Sequence, residues 1–169
     1  MEITQIHPML VHFPIVLFIL ALGLYAYLLV TKQDMAARSC LSITAAAMLV
    51  GGVVTAIAAA GFGDIALDAA IDKGFPDHNL EEHEELAGTT ITIFGVLAVI
   101  LLGAMWKKFQ LTGAKGAVFT LAVIAGVAML LNTAYHGGEL VYKEGVNVEV
   151  VKPMPGAHSH EHDADHDHD

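Results

Sequence analysis

Four apolar runs, at about 9–31, 39–61, 87–106 and 116–136, constrain this chain more than anything else in it. Each is near the roughly 20 residues a helix needs to cross the hydrocarbon of a bilayer. The chain has 169 residues, 55% hydrophobic and only 15% charged, so its charges must be crowded into short segments between the runs. No basic segment precedes the first run and no small-residue cleavage motif follows it, so it reads as a retained helix and not a signal peptide. The expected fold is all-α: an integral membrane four-helix bundle over residues 1–152, followed by a disordered His/Asp-rich tail over 153–169. The lone Cys40, at the start of the second run, reads as a buried small apolar residue.

Charge placement sets the expected orientation. Lys32 and Arg38 fall between the first two runs, and Lys107, Lys108 and Lys115 between the last two, with Asp34 the only acid in either loop. Such basic loops belong in the cytoplasm. Both termini, and the long loop from Gly61 to Leu86, then face outward and hold every other Asp and Glu. The net charge of −10 is thus an outer-face property, which argues against nucleic acid or anionic lipid as a partner.

The first run opens on His7-Pro8-Met9-Leu10-Val11-His12-Phe13-Pro14. Pro8 suits the first helical position, with His7 just outside. Pro14 cannot donate to the Leu10 carbonyl and should loosen the helix there, with His12 inside the loosened turn. In the second run, Ala47, Gly51, Thr55, Ala59 and Gly63 form a ridge of small residues at every fourth position, read as a packing face. Asp64 follows it and is placed to orient a histidine of a neighbouring helix.

Residues 65–72 alternate apolar and acidic positions, as a short interfacial segment would. The third helix should start near Asp77 or Asn79, with Glu82 at capping-box spacing and His83 about a turn outside the apolar part. Gly137-Gly138 should stop the fourth helix just after His136. Residues 139–142 and 146–151 then alternate well enough for a short extracytoplasmic hairpin.

His7-Pro8-x-x-Val11-His12-Phe13-Pro14-Ile15, followed by Gly137-Gly138-Glu139-Leu140-Val141-Tyr142-x-x-Gly145-Val146, resembles the bacterial membrane proteins grouped as the domain of unknown function 2231 family. The two motifs bracket the chain up to about Val150. The resemblance implies a four-helix integral membrane domain of the bacterial cytoplasmic membrane without an established activity. Relatives fused to cytochrome c modules imply a link to electron transfer, with a c-type cytochrome as redox partner. The histidine tail is not part of that pattern.

His7, His12, His78, His83 and His136 all fall at the outer ends of runs, and none at an inner end. Neutral imidazoles from facing helices are standard axial ligands of haem b and also suit divalent transition metals such as zinc or copper. One-sided placement allows one haem at most. His12, His83 and His136 are the favoured cofactor ligands, and Asp64 and Glu139 are the carboxylates that would ligate a metal or orient its histidines. Taken singly, each histidine is better explained by capping or headgroup contact at the interface than as a ligand. The tail histidines His158, His160, His162, His166 and His168, interleaved with acids, suit loose metal binding.

Three functions fit: a haem or metal redox protein at the outer face, a metal-handling protein, and a structural subunit of a membrane complex or homo-oligomer. No charged residue lies mid-span to form a transport pathway. A His/Asp/Glu rim holding a metal could also activate water for hydrolysis; no nucleophile motif or nucleotide loop supports any other enzyme class, and an enzyme in its own right is not the favoured reading.

Overall fold

The computed structural model describes residues 6–72, 74, 77–143 and 145–146. It contains α1 (Ile6–Leu10), α2 (His12–Val30), α3 (Cys40–Asp72), α4 (Asp77–Trp106) and α5 (Gly113–Tyr142). The stretch Ile6–Val30, which joins α1 to α2, and the helices α3, α4 and α5 give four segments long and apolar enough to cross a membrane. The helices run up and down as a ring, α2 beside α3, α3 beside α4, α4 beside α5, and α5 back against α2, with α1 packed on α3. One end of the bundle carries the basic loops and the other the histidines.

Large apolar side chains cover the outside, among them Val30, Ile57, Val99 and Val118. Against lipid such a surface gives no drive for helices to associate, so close packing must supply it. At mid-height the fully buried rings of Phe18 (α2) and Phe94 (α4) stack across one diagonal, with centroids 3.6 Å apart and planes 5° from parallel. Glycines on the other diagonal make room for them. A Cβ on Gly52 (α3) would come within 2.5 Å of Phe18, and one on Gly126 (α5) within 3.0 Å of Phe94. The buried face of α3 is Ser42, Ala45, Ala46, Leu49, Gly52, Ala56 and Ala59. The expected ridge is therefore rotated: Ala47 is exposed, while Gly51 and Gly63 meet Leu17 and His7.

At the basic end α2 and α4 finish in the same way. Gln33 N–H donates to the Leu28 carbonyl and Lys32 N–H to that of Leu29; Phe109 N–H donates to Ala104 and Lys108 N–H to Met105. These are Schellman caps, and they put Lys32 and Lys108, both at φ 55°, where glycine is usual. Asp34 ties the two loops together, its Oδ1 accepting the N–H of Ala36 at 3.0 Å and of Leu111 at 2.9 Å. Met35 follows and plugs the bundle end, fully buried.

The histidine end departs from expectation in length. At 1.5 Å per residue the 33 residues of α3 reach about 50 Å, well past a hydrocarbon layer of about 30 Å. The expected long loop from Gly61 to Leu86 is mostly helix: α3 continues through Asp72 and α4 begins at Asp77. The acids of this region, Asp64, Asp68, Asp72, Glu81, Glu82, Glu84 and Glu85, are all exposed. Beneath them Ala70, Leu80, Leu140 and Val146 form a second small core with Leu67, so the extensions bury apolar surface of their own.

Gly137-Gly138 does not stop α5, which runs on to Tyr142 and turns at Gly145, φ 72°. The expected hairpin is thereby corrected over residues 139–142, which are helical; positions 147–151 lie outside the described residues, as does the tail. The reason for glycine at 137 is space, shown below. Pro14 disturbs its helix only slightly: the helical hydrogen-bond pattern lapses at Val11, between α1 and α2, but Val11 keeps φ −60° and ψ −23° and its N–H still donates to the His7 carbonyl, the proline having removed the donor that would serve Leu10. Cys40 is exposed at the start of α3, not buried.

Candidate functional site

Of the five candidate histidines, His7 and His136 lie near enough to His83 to interact with it electrostatically at the histidine end. His7 comes from α1. Because α1 lies on α3, the His7 ring reaches that helix, where His7 Nδ1–H donates to the Ala59 carbonyl at 2.7 Å. A carbonyl only accepts, so the proton is on Nδ1 and the Nε2 lone pair is left free. The ring sits over Gly63, where a Cβ would be 3.0 Å from His7 Cε1 and Nδ1.

His83 projects from the second turn of α4 against α5. A Cβ on Gly137 would be 2.9 Å from His83 Cε1, so an alanine there would displace the imidazole. The ring also lies against the backbone carbonyl of Thr133. Its Nδ1 is nonetheless buried without a hydrogen-bond partner. Unpaired buried nitrogens cost about 1–3 kcal/mol, and each calls for an explanation. Below it, Thr90 and Thr133 hydroxyls pair at 2.9 Å, tying α4 to α5.

His136, half-buried nearly two turns before the end of α5, completes the group; among the described residues it and His7 are the imidazoles within electrostatic reach of His83. His136 Nδ1 lies 3.8 Å from Glu139 Oε2. Glu139 also pairs with Lys143, whose ammonium is held above the ordinary lysine pKa by that carboxylate.

The remaining candidates are placed differently. His12 is exposed at the start of α2 and is not among the groups within reach of His83. Asp64 is exposed beside Gly63 and forms no ion pair among the described residues. His78 belongs to α4, its side chain outside the described residues together with the tail histidines. Among the described residues no three His, Cys, Asp or Glu side chains stand close enough to hold a metal ion as the rings are now turned. The glycines that seat the rings carry other roles in the sequence, Gly63 as part of a helix-packing ridge and Gly137 as a helix stop; in the fold they make room for His7 and His83.

A family described as "Predicted membrane protein (DUF2231)" matches residues 4–150 of the chain. No curated protein and no solved structure matches it.

Proposed function

This chain belongs to the DUF2231 family of predicted membrane proteins, and from that premise we propose that it binds a divalent transition metal ion at the histidine end of its bundle. His83 is the central ligand, with His7 and His136 beside it. The observation that carries the reading is the buried, unpartnered Nδ1 of His83 flanked by two further imidazoles. The donors suit the task, since neutral imidazole is a common ligand of zinc, copper and iron. His7 has the arrangement usual in metal-ligating histidines, one ring N–H fixed on a backbone carbonyl and the other nitrogen free. His136, near Glu139, approaches the carboxylate version of it. The rings must turn toward one another to share an ion.

A bare ion fits better than haem b. The His83 ring fills the space that a Gly137 side chain would take, leaving no slab of porphyrin thickness between α4 and α5. The tail histidines, His158 to His168, then serve to collect ions near the site. In the orientation set by the basic loops the site faces outward from the cytoplasmic membrane, within reach of a soluble redox partner such as a c-type cytochrome.

Isothermal titration with Zn²⁺ and Co²⁺ tests this on full-length protein in detergent, with the five tail histidines replaced by glutamine. One tightly bound ion per chain, lost in His83→Gln, is expected. No stoichiometric binding overturns the reading.

A further inference from the structure

The numbering shift that carries His7 to His83 also carries Phe18 to Phe94 and Lys32 to Lys108. It carries more than residue names. His7 and His83 each sit over a glycine of the next helix, Phe18 and Phe94 are the stacked pair, and Lys32 and Lys108 occupy the same cap at the same φ of 55°. The buried positions of α2, Pro14, Phe18, Ala21, Tyr25 and Leu28, fall by this shift on Thr90, Phe94, Leu97, Leu101 and Ala104, every one buried.

A second shift, two residues shorter, relates α3 to α5. It takes Gly52 to Gly126 and Gly63 to Gly137, the seats of the two phenylalanines and of the two histidines. It also takes Ala59 to Thr133, whose carbonyls lie against His7 and His83 respectively. The missing two residues are absorbed in the shorter loop before α5. The chain is thus one helical hairpin used twice, and parallel repeats of this kind are related by an axis along the membrane normal. Phe18 and Phe94, equivalent and stacked, straddle that axis.

Of the candidate ligands only His7 and His83 are equivalents. His12 falls on Gly88, His136 on Phe62, Asp64 on Gly138 and Glu139 on Ile65. We infer that His7 and His83 are a matched ligand pair, one imidazole from each repeat, holding the ion on the pseudo-two-fold axis, with His136 a flanking group and not a ligand. The inference rests on the metal-binding reading and narrows its ligand set. His7 Nδ1–H donates to the Ala59 carbonyl, whereas His83 Nδ1, against the equivalent carbonyl of Thr133, is buried without a hydrogen-bond partner.

The test uses the full-length protein with glutamine at the five tail histidines. Cu²⁺ electron paramagnetic resonance on this protein should show splitting from two imidazole nitrogens. In Zn²⁺ titrations His7→Gln and His83→Gln should each weaken binding by at least about 100-fold and by similar factors, and His136→Gln by less than about tenfold. Glutamine at 7 can still donate to the Ala59 carbonyl, and circular dichroism checks that each variant remains helical. Equal losses in His83→Gln and His136→Gln with His7→Gln silent would overturn the matched pair while leaving a metal site. Absence of any bound ion would overturn both, and a copper spectrum from one nitrogen or from three would overturn the pair alone.

Discussion

Gly52→Ala puts one methyl group where the bundle has least room. Its carbon would lie 2.5 Å from Phe18 Cε1, 2.7 Å from Cδ1 and 3.0 Å from Cζ, against an optimal carbon–carbon separation of about 3.5–4.0 Å. The Phe18 ring must therefore retreat by about 1 Å. Its far face already rests on Phe94 at 3.6 Å, and Phe94 in turn abuts Gly126, so the displacement is passed across the whole bundle to α5. Overpacking of this kind costs about 1–3 kcal/mol. At a contact this short the upper end applies, and alanine's better helix propensity returns up to about 1 kcal/mol, leaving a net loss of about 2 kcal/mol. Reversible unfolding of the purified protein by SDS in mixed micelles measures it. Gly23→Ala, where nothing lies within 4 Å of the new carbon, is the control and should be neutral or slightly stabilising. Phe18→Leu alone should also destabilise by opening a cavity. Combined with Gly52→Ala it should be less harmful than the two losses added, with a coupling of about 1 kcal/mol or more. Strict additivity, or a harmless Gly52→Ala, would refute the account of the stack.

Lys32→Gly and Lys108→Gly should each stabilise the protein by about 1 kcal/mol in the same assay, because φ of 55° strains any residue with a side chain; a loss in both would show that the lysine side chains outweigh the strain. Asp34→Ala should cost about 1–3 kcal/mol by orphaning the Leu111 N–H, whereas Asp34→Asn, which keeps an accepting oxygen, should cost well under half as much. Thr90→Val and Thr133→Val, cutting the hydroxyl pair between α4 and α5, should show a double-mutant coupling of about 0.6 kcal/mol, the usual size for such bonds in membranes.

The spans were legible because the bilayer sets a length scale that hydropathy reports directly. The basic-end caps were less so: Thr31 as the end of α2 could be read from the apolar run, but lysine in a left-handed cap cannot be told from lysine in a turn. Where helices leave the hydrocarbon the signal disappears, and residues 61–72 and 137–142, polar or glycine-rich, look like loops although they remain helical. Gly137 was misread because sequence does not separate a glycine kept for its backbone freedom from one kept for lack of bulk. At the N-terminus, His12 looked better placed than His7 because Pro14 was expected to loosen the turn that holds it; His12 is exposed instead, while His7 reaches α3. The duplication was hidden by its own core. Tyr25 is matched by Leu101, Ala21 by Leu97 and Leu28 by Ala104, large for small and small for large, so buried position persists while residue identity does not.

The two stacked rings at mid-height stand eleven residues, roughly 16 Å, below the imidazoles they are spaced from. They act as a floor. Fully buried and stacked, they fill the middle of the bundle and divide its histidine end from its basic end.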